Sequence, residues 1–341
     1  MNIKEIARQA GVSVATVSRV LNHPETVAPK TRERILDLME QMDYKPNWFA
    51  RGLNFNKTYT LALLIPNILN PAYVEIAEGV ESVANRKGYS VLLCITEGEV
   101  EKERQYIQTL IDRHIDGVIL VSSLLNGDDI NYLKQQGVAV VLVGENNGNS
   151  SEPMVRIDCC AAAYQAVQHL LNCGHREIAL VYGHTPVMEN KHKIEGYKKA
   201  LQEAGIPLRP EYLVEEQNTE EGGYLATRKL LGLKERPRAI FTTSDLLAFG
   251  VIDALRDAEL NIPDDVAVMG FDNIRMAKLM VPKLSTVAKP LHKMGLSSAR
   301  LLLDVIESQG NGNMAMREIV LQSKLKIRKS CGHKERIKEI F

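Results

Sequence analysis

The stretch Gly11 to Asn22, GVSVATVSRVLN, decides how the chain is read. Gly11 supplies the positive φ needed just past a helix, and Ser13 can cap the next helix with its hydroxyl. Upstream, Ile3, Ile6, Ala7 and Ala10 share one face at helical spacing. Within the stretch, Val17, Val20 and Leu21 form the buried stripe of a second helix. Val14, Ala15 and Arg19 point elsewhere, with Ala15 and Arg19 as i,i+4 neighbours. Two short helices joined by a glycine turn, with an arginine on the outer face of the second, have the outline of a helix-turn-helix that reads DNA. A plain αα-hairpin fits the same spacing.

The segments that follow complete a small headpiece. After a loop over 23–28, Pro29 suits the first position of a third helix, where Ile35, Leu38, Met39 and Met42 form one apolar stripe. Such a unit, over residues 1–45, is only marginally stable alone. The chain's formal net charge is zero, so bulk charge does not point to nucleic acid. Residues 1–57 carry nine basic side chains against six acidic ones, a surplus of the sign that phosphates require.

Several function classes are excluded by what is missing. The amino terminus is charged and amphipathic, without the apolar core of a signal peptide. No stretch approaches the roughly 18 apolar residues of a membrane span, so the expectation is a cytoplasmic protein with no membrane partner. The five cysteines lack a C-x-x-C pair and read as free thiols. Cys173-Gly174-His175 and Cys331-Gly332-His333 have no partner pair at zinc spacing, so no metal site is expected. No G-x-G-x-x-G follows a strand, no P-loop occurs and no Ser/His/Asp set can be assembled. No enzyme, no catalytic residue and no cofactor is expected.

Residues Ile3 to Asn22, IKEIARQAGVSVATVSRVLN, closely resemble the amino-terminal signature of LacI/GalR-type bacterial transcription regulators, whose recognition helix carries T-V-S-[RH]-V-[LIV]-N. On that footing Val14, Ala15 and Arg19 are the base-edge candidates, and Ser13, Thr16, Ser18 and Asn22 the phosphate candidates. Arg19 reads equally as a contact to guanine or to phosphate. The resemblance continues over Tyr44 to Leu53, where Y-x-P-N-x-x-A-R-x-L matches the hinge pattern of these regulators. It implies a hinge over 46–57 that orders on operator DNA, with Asn47 as cap, Arg51 on the backbone and Leu53 wedged into the minor groove. Trp48 and Phe49 are larger than the residues usual there.

From Tyr59 onward, near-continuously apolar strands alternate with amphipathic helices, which means parallel sheets covered on both faces. The expected fold class is an all-α helix-turn-helix headpiece followed by a two-lobed α/β core over 58–330. The resemblance implies the division of that core, which is like periplasmic sugar-binding proteins. Lobe 1 takes 58–158 and 290–318, lobe 2 takes 159–285 and 321–330, and a basic tail runs over 331–341. Ligands of open α/β sheets bind beyond the carboxyl ends of the strands. By resemblance, Asn70, Tyr73, Ser123, Ser244 and Asp272 match positions that face the effector. Lys193 stands where sugar- and purine-responsive members usually carry arginine, and lysine cannot make the planar bidentate contact. The catabolite control protein group also has lysine there, and its docking helix corresponds to Leu291–Ile306. In that helix Arg300 is retained, while His292, Lys293 and Asp304 differ. The implied partners are double-stranded operator DNA, a second copy of the chain, and either a small effector (sugar, sugar phosphate or nucleobase) or a phosphocarrier protein. The implied function is a ligand-controlled repressor of metabolic genes; a sugar receptor without DNA function is the rival.

Overall fold

The structure, a computed structural model, describes residues 3–22, 24–42, 57–145, 152–184, 187–308 and 318–332. The chain divides into two compact units, residues 1–58 and 59–341. In the first, α1 (Ile3–Gln9), α2 (Val14–Asn22) and α3 (Pro29–Gln41) surround one small core. Ile6, Ala7, Ala10, Val17, Val20, Ile35 and Met39 are buried there. Gly11 ends the first helix with φ +63°, a conformation that an L side chain adopts only with strain. Ser13 Oγ then accepts the Thr16 N–H at 3.1 Å and caps α2. The segment read as a loop contains a 3-10 turn, Pro24–Thr26.

The second unit holds two six-stranded sheets. Sheet 1 contains β1 (Thr60–Ile65), β2 (Ser90–Ile95), β3 (Gly117–Val121), β4 (Ala139–Val143), β5 (Met154–Ile157) and the late strand β11 (Glu318–Leu321), in the order β11-β5-β4-β3-β1-β2. Its pairings are parallel throughout. Sheet 2 contains β6 (Ile178–Gly183), β7 (Leu213–Glu216), β8 (Ala239–Thr242), β9 (Ala267–Asp272), β10 (Ser285–Ala288) and β12 (Lys324–Lys326), in the order β12-β10-β9-β8-β6-β7. Only β12 runs antiparallel, against β10. The chain therefore passes between sheets three times: after Ile157, after Ala288 and between Leu321 and Lys324.

Helices cover the sheets: α4 (Pro71–Arg86), α5 (Val100–Asp112) and α6 (Gly127–Gln135) on the first; α7 (Cys159–Asn172), α8 (Met188–Glu203), α9 (Glu220–Leu231) and α10 (Asp245–Asp257) on the second. After the second crossing α11 (Leu291–Ser308) returns to lobe 1 and packs on α4. Their backbones approach so closely that a Cβ on Gly79 would lie 2.3 Å from the His292 carbonyl oxygen. A Cβ on Gly295 would lie 2.1 Å from that of Ile76. Only glycine fits either place, and the contact anchors the returning helix.

Sequence periodicity does not pick out β5, β7 and β12. Each has only three or four residues, and those of β7 and β12 are at most half-buried, so a clear apolar run never develops. The boundary drawn for the basic tail at residue 331 also moves. Cys331 is fully buried, because the Ser330 hydroxyl donates to the Val268 carbonyl at 2.7 Å and accepts the Ser285 N–H at 2.8 Å, carrying the next residue into lobe 2. Residues 333–341 lie outside the described residues.

Candidate functional site

In the headpiece, helical geometry sorts α2 into two faces. Val17 and Val20 are buried against α1 and α3, while Ser13, Val14, Ala15 and Arg19 are exposed and Thr16 and Ser18 half-buried. The Ser13 and Thr16 hydroxyls also bond each other at 3.0 Å, which fixes the start of the helix. The three base-edge candidates thus share the outward face. Asn22 closes α2, but its side chain lies outside the described residues, as do Asn47, Arg51 and Leu53.

The core carries a cavity of about 410 Å³ lined by residues of both lobes, at the carboxyl ends of the strands. Lobe 1 contributes mostly uncharged groups; its charged lining residue, Glu97, is exposed and ion-paired with Lys102. Asn70 is buried and caps α4, its Oδ1 accepting the Ala72 N–H at 3.0 Å; Tyr73 follows one turn in. Burial pushes the Tyr73 phenol up to about 12, with nearby Glu189 adding to the effect, so it acts as a neutral donor and acceptor. Ser123 does not face the cavity. Its hydroxyl donates to the buried Glu103 carboxylate, and Ser122 lines the wall instead. Ser122, just past β3, has φ +48°, and it takes the place at the cavity expected of Ser123.

Lobe 2 and the second crossing contribute charge. Lys289 Nζ donates to Glu189 Oε2 at 3.1 Å and lies 3.9 Å from Asp272 Oδ1. Lys193 Nζ donates to the Thr243 carbonyl at 3.0 Å and lies 3.9 Å from Glu189 and 4.3 Å above the Phe271 ring. All four side chains are at least nine-tenths buried. Burial alone would raise the Glu189 pKa, but Lys289 and Lys193 overcome it and the net shift is downward. For Asp272 burial wins, and its pKa is raised despite the same two lysines. Burial works against the charge on Lys289 too, yet Glu189 and Asp272 hold that ammonium well above its usual range. The quartet sums to zero charge, with Asp272 the carboxylate least firmly held.

Asp272 owes its position to a strained turn. It has φ +117° and Asn273 φ +59°, conformations that cost on the order of 1–3 kcal/mol each for non-glycine residues. Asp245, at the start of α10, secures the turn: its Oδ2 accepts the Ile274 N–H at 2.8 Å and its Oδ1 the Thr286 hydroxyl at 2.6 Å. From the other side Arg328 Nη2 donates to Asn273 Oδ1 at 2.7 Å. Ser244 lines the cavity as the cap of α10, its Oγ accepting the Leu247 N–H at 3.3 Å and donating to Asn218 Oδ1. Sequence reasoning names Asn70, Tyr73, Lys193, Ser244 and Asp272, places Ser122 and Asp245 at strand ends without a role, and misses Glu189 and Lys289. The one sequence signal for Lys289 is its place at the second crossing.

Residues 2–47 match the model of bacterial regulatory proteins of the lacI family, and residues 167–331 match a periplasmic binding protein-like domain. The chain is 39% identical over 304 residues to catabolite control protein A of Priestia megaterium, covering 89% of this chain and 91% of that one. The chain belongs to the lacI family of bacterial regulatory proteins. A LacI family regulator from Enterococcus faecium, solved with bound ribose, superposes with a TM-score of 0.73 at 33% identity, over 80% of this chain and 98% of that one. The lac repressor dimer bound to operator and an anti-inducer shares the fold, with a TM-score of 0.86 at 23% identity, over 97% of this chain and 99% of that one. As a lacI-family member the chain is a DNA-binding transcriptional regulator and not an enzyme. Among the described residues, no helix is long and apolar enough to cross a membrane.

Proposed function

We propose that this regulator is a homodimeric repressor, working in the cytoplasm on a near-palindromic operator and controlled by a neutral, hydroxyl-rich molecule of the sugar class. The observation that carries the effector class is the charge-balanced quartet Glu189, Lys193, Asp272 and Lys289. Each lysine has a carboxylate within 4 Å, so the cavity offers no spare positive charge to a sugar phosphate. Carboxylates are acceptors for hydroxyl groups, and bonds to charged groups are worth about 1.5–3 kcal/mol each. A nucleobase is less well served, since Tyr73 is the single Phe, Tyr or Trp side chain among the described lining residues. Support for a dimer comes from apolar side chains on both lobes: Leu69 is 82% exposed, Leu279 70% and Val281 78%.

In this reading effector occupancy changes the angle between lobes, and with it the spacing of two hinge segments over 46–57. Ordering of those segments on DNA, with Leu53 entering the minor groove and Asn47 and Arg51 supporting it, is thereby favoured or forbidden. Ser13, Thr16, Ser18 and Asn22 position α2 on phosphates, and Val14, Ala15 and Arg19 meet base edges. The test is a mobility shift on operator DNA selected from a random pool. Arg19→Ala is expected to lose about 1–3 kcal/mol, roughly 5- to 150-fold in affinity. Leu53→Ala is expected to lose affinity without loss of base preference. Wild-type affinity and specificity in both variants rejects the mechanism.

A second reading has its own support in the 39% identity to catabolite control protein A. The outer face of α11 exposes His292, Lys293, Arg300 and Asp304, a polar surface on which a phosphocarrier protein could dock. Adding phosphorylated carrier protein to the mobility shift separates the two. The first reading expects no change in operator affinity; a change abolished by Arg300→Glu selects the second.

A further inference from the structure

The far end of lobe 2 holds a cluster that DNA binding and the cleft do not use. His169 and Cys173 are four residues apart at the carboxyl end of α7, so they share one face of the helix. Cys331 reaches them from the end of the chain. His169 Nε2 lies 3.2 Å from Cys331 Sγ and 3.5 Å from Cys173 Sγ, and the three atoms are all within 4.8 Å of one another. Around a tetrahedral zinc ion the corresponding edges are about 3.6 Å from nitrogen to sulfur and about 3.8 Å from sulfur to sulfur. The native side chains therefore already stand near the vertices of such a site.

We propose that His169, Cys173 and Cys331 bind one thiophilic divalent cation of the zinc class, which fastens the C-terminal segment to lobe 2. Imidazole and two thiolates are the donor set such an ion selects over magnesium or calcium, which take oxygen ligands. The frame is built independently of the ion. Ser330 is locked to Val268 and Ser285, and Arg328 to Asn273, so Cys331 is held in place by its neighbours. Beside it, His175 Nε2 lies 3.2 Å from the Cys331 carbonyl oxygen, the kind of outer partner that fixes a ligand's backbone. Cys331 is fully buried while His169 and Cys173 are half-buried, which leaves an entry path on one side. Loading the ion displaces both thiol protons, which leave to solvent. The fourth coordination position goes to water.

The site sits at the carboxyl end of α7, a 14-residue helix about 21 Å long whose first residue, Cys159, feels the charges of Glu189, Lys193 and Lys289. It is still tied to the cleft through the segment it fastens. Arg328, three residues before Cys331, is the side chain that braces Asn273 beside Asp272.

The experiment uses the full-length chain without a histidine tag, under a phosphine reductant, titrated with Co²⁺ and then with Zn²⁺. The expected result is about one cobalt per chain, with the ligand-field bands of tetrahedral cobalt and a thiolate-to-cobalt charge-transfer band, all erased by competing zinc. Cys173→Ser and His169→Gln alter half-buried side chains and keep the fold. Each should weaken cobalt binding by more than the roughly 10- to 100-fold typical of changing an outer partner, whereas Cys94→Ser should leave it unchanged. Zinc should raise the melting temperature of the wild type and of Cys94→Ser, but not of Cys173→Ser. Absence of the tetrahedral spectrum in the wild type, or its persistence in Cys173→Ser and His169→Gln, overturns the proposal. So does a Cys173–Cys331 disulfide that persists under the reductant and takes up no metal.

Discussion

The two lobes are built on the same plan and face the same cavity with opposite chemistry. Each has six strands with a parallel core and a late-arriving edge strand. Lobe 1 presents the buried or half-buried Asn70, Tyr73 and Ser122, all uncharged, and its charged lining residue, Glu97, is exposed and spent on Lys102. Lobe 2 presents Glu189, Lys193 and Asp272, completed by Lys289 where the chain crosses back. The difference lies in what stands behind each wall. Behind Asp272 a buried carboxylate, Asp245, organises a strained turn, and burial with neighbouring Asp272 raises Asp245 well above the usual carboxylate range. Behind Ser122 the buried Glu103 is absorbed by Ser123 and the Leu124 N–H and never reaches the cavity. Under the proposed sugar reading, lobe 2 is the anchoring wall and lobe 1 the closing wall.

The largest effect expected from this asymmetry is on stability. Lys289→Met leaves Glu189 and Asp272 with only Lys193 to balance them, and removing one partner of a buried ionic cluster costs about 3–5 kcal/mol. Calorimetry should show a markedly lower melting temperature, partly restored by adding Glu189→Gln. A melting temperature within a degree of wild type breaks the claim that the quartet acts as a unit.

Next in size is the anchoring carboxylate. Asp272→Ala should remove about 1.5–3 kcal/mol of effector binding, read by titration calorimetry with the sugar that a thermal-shift screen identifies. Tyr73→Phe on the opposite wall removes a neutral hydroxyl and should lose only about 0.5–1.5 kcal/mol. If the tyrosine change costs as much as the aspartate change, the division into anchoring and closing walls is wrong.

The smallest effect distinguishes the two carboxylates within lobe 2. Burial raises the Asp272 pKa above 3.8, so on the proposed reading the charge that accepts hydroxyls is lost as pH falls through that raised value. The Glu189 pKa is lowered, so its stabilising ion pairs are fully present above 4.5 and fail only below it. Effector affinity should therefore weaken on acidification from about pH 7 to 4, and Asp272→Asn should remove that dependence. Titration calorimetry across this range checks it; an affinity that does not change with pH in the wild type contradicts it.

How much of this could be read from the sequence divides along similar lines. The headpiece was legible because local spacing does the folding: Ile6, Ala7, Val17 and Val20 are buried and Ala15 and Arg19 exposed, as a 3.6-residue period requires. The alternating core was legible where strands are long and buried, as in Leu61–Ile65 and Val118–Val121. Short edge strands such as Lys324–Lys326 were not, because a half-exposed strand carries no apolar run. Serine spacing could not separate Ser122, which lines the cavity, from Ser123, which is turned to Glu103. Lys289 stands 100 residues from the Glu189 it binds, and Cys331 stands 162 residues from His169, so no local pattern reports either meeting. Spacing along the chain likewise does not report that His169, Cys173 and Cys331 come together, because the fold supplies that neighbour.

The measurement that bears most directly on the account is operator affinity of the full-length chain in the presence of neutral sugars, sugar phosphates and nucleobases, for wild type and Asp272→Ala side by side. A neutral sugar should change the operator affinity of the wild type, and Asp272→Ala should lose this response while binding operator normally in the absence of sugar. A response confined to phosphorylated sugars or nucleobases, or an undiminished sugar response in Asp272→Ala, contradicts it.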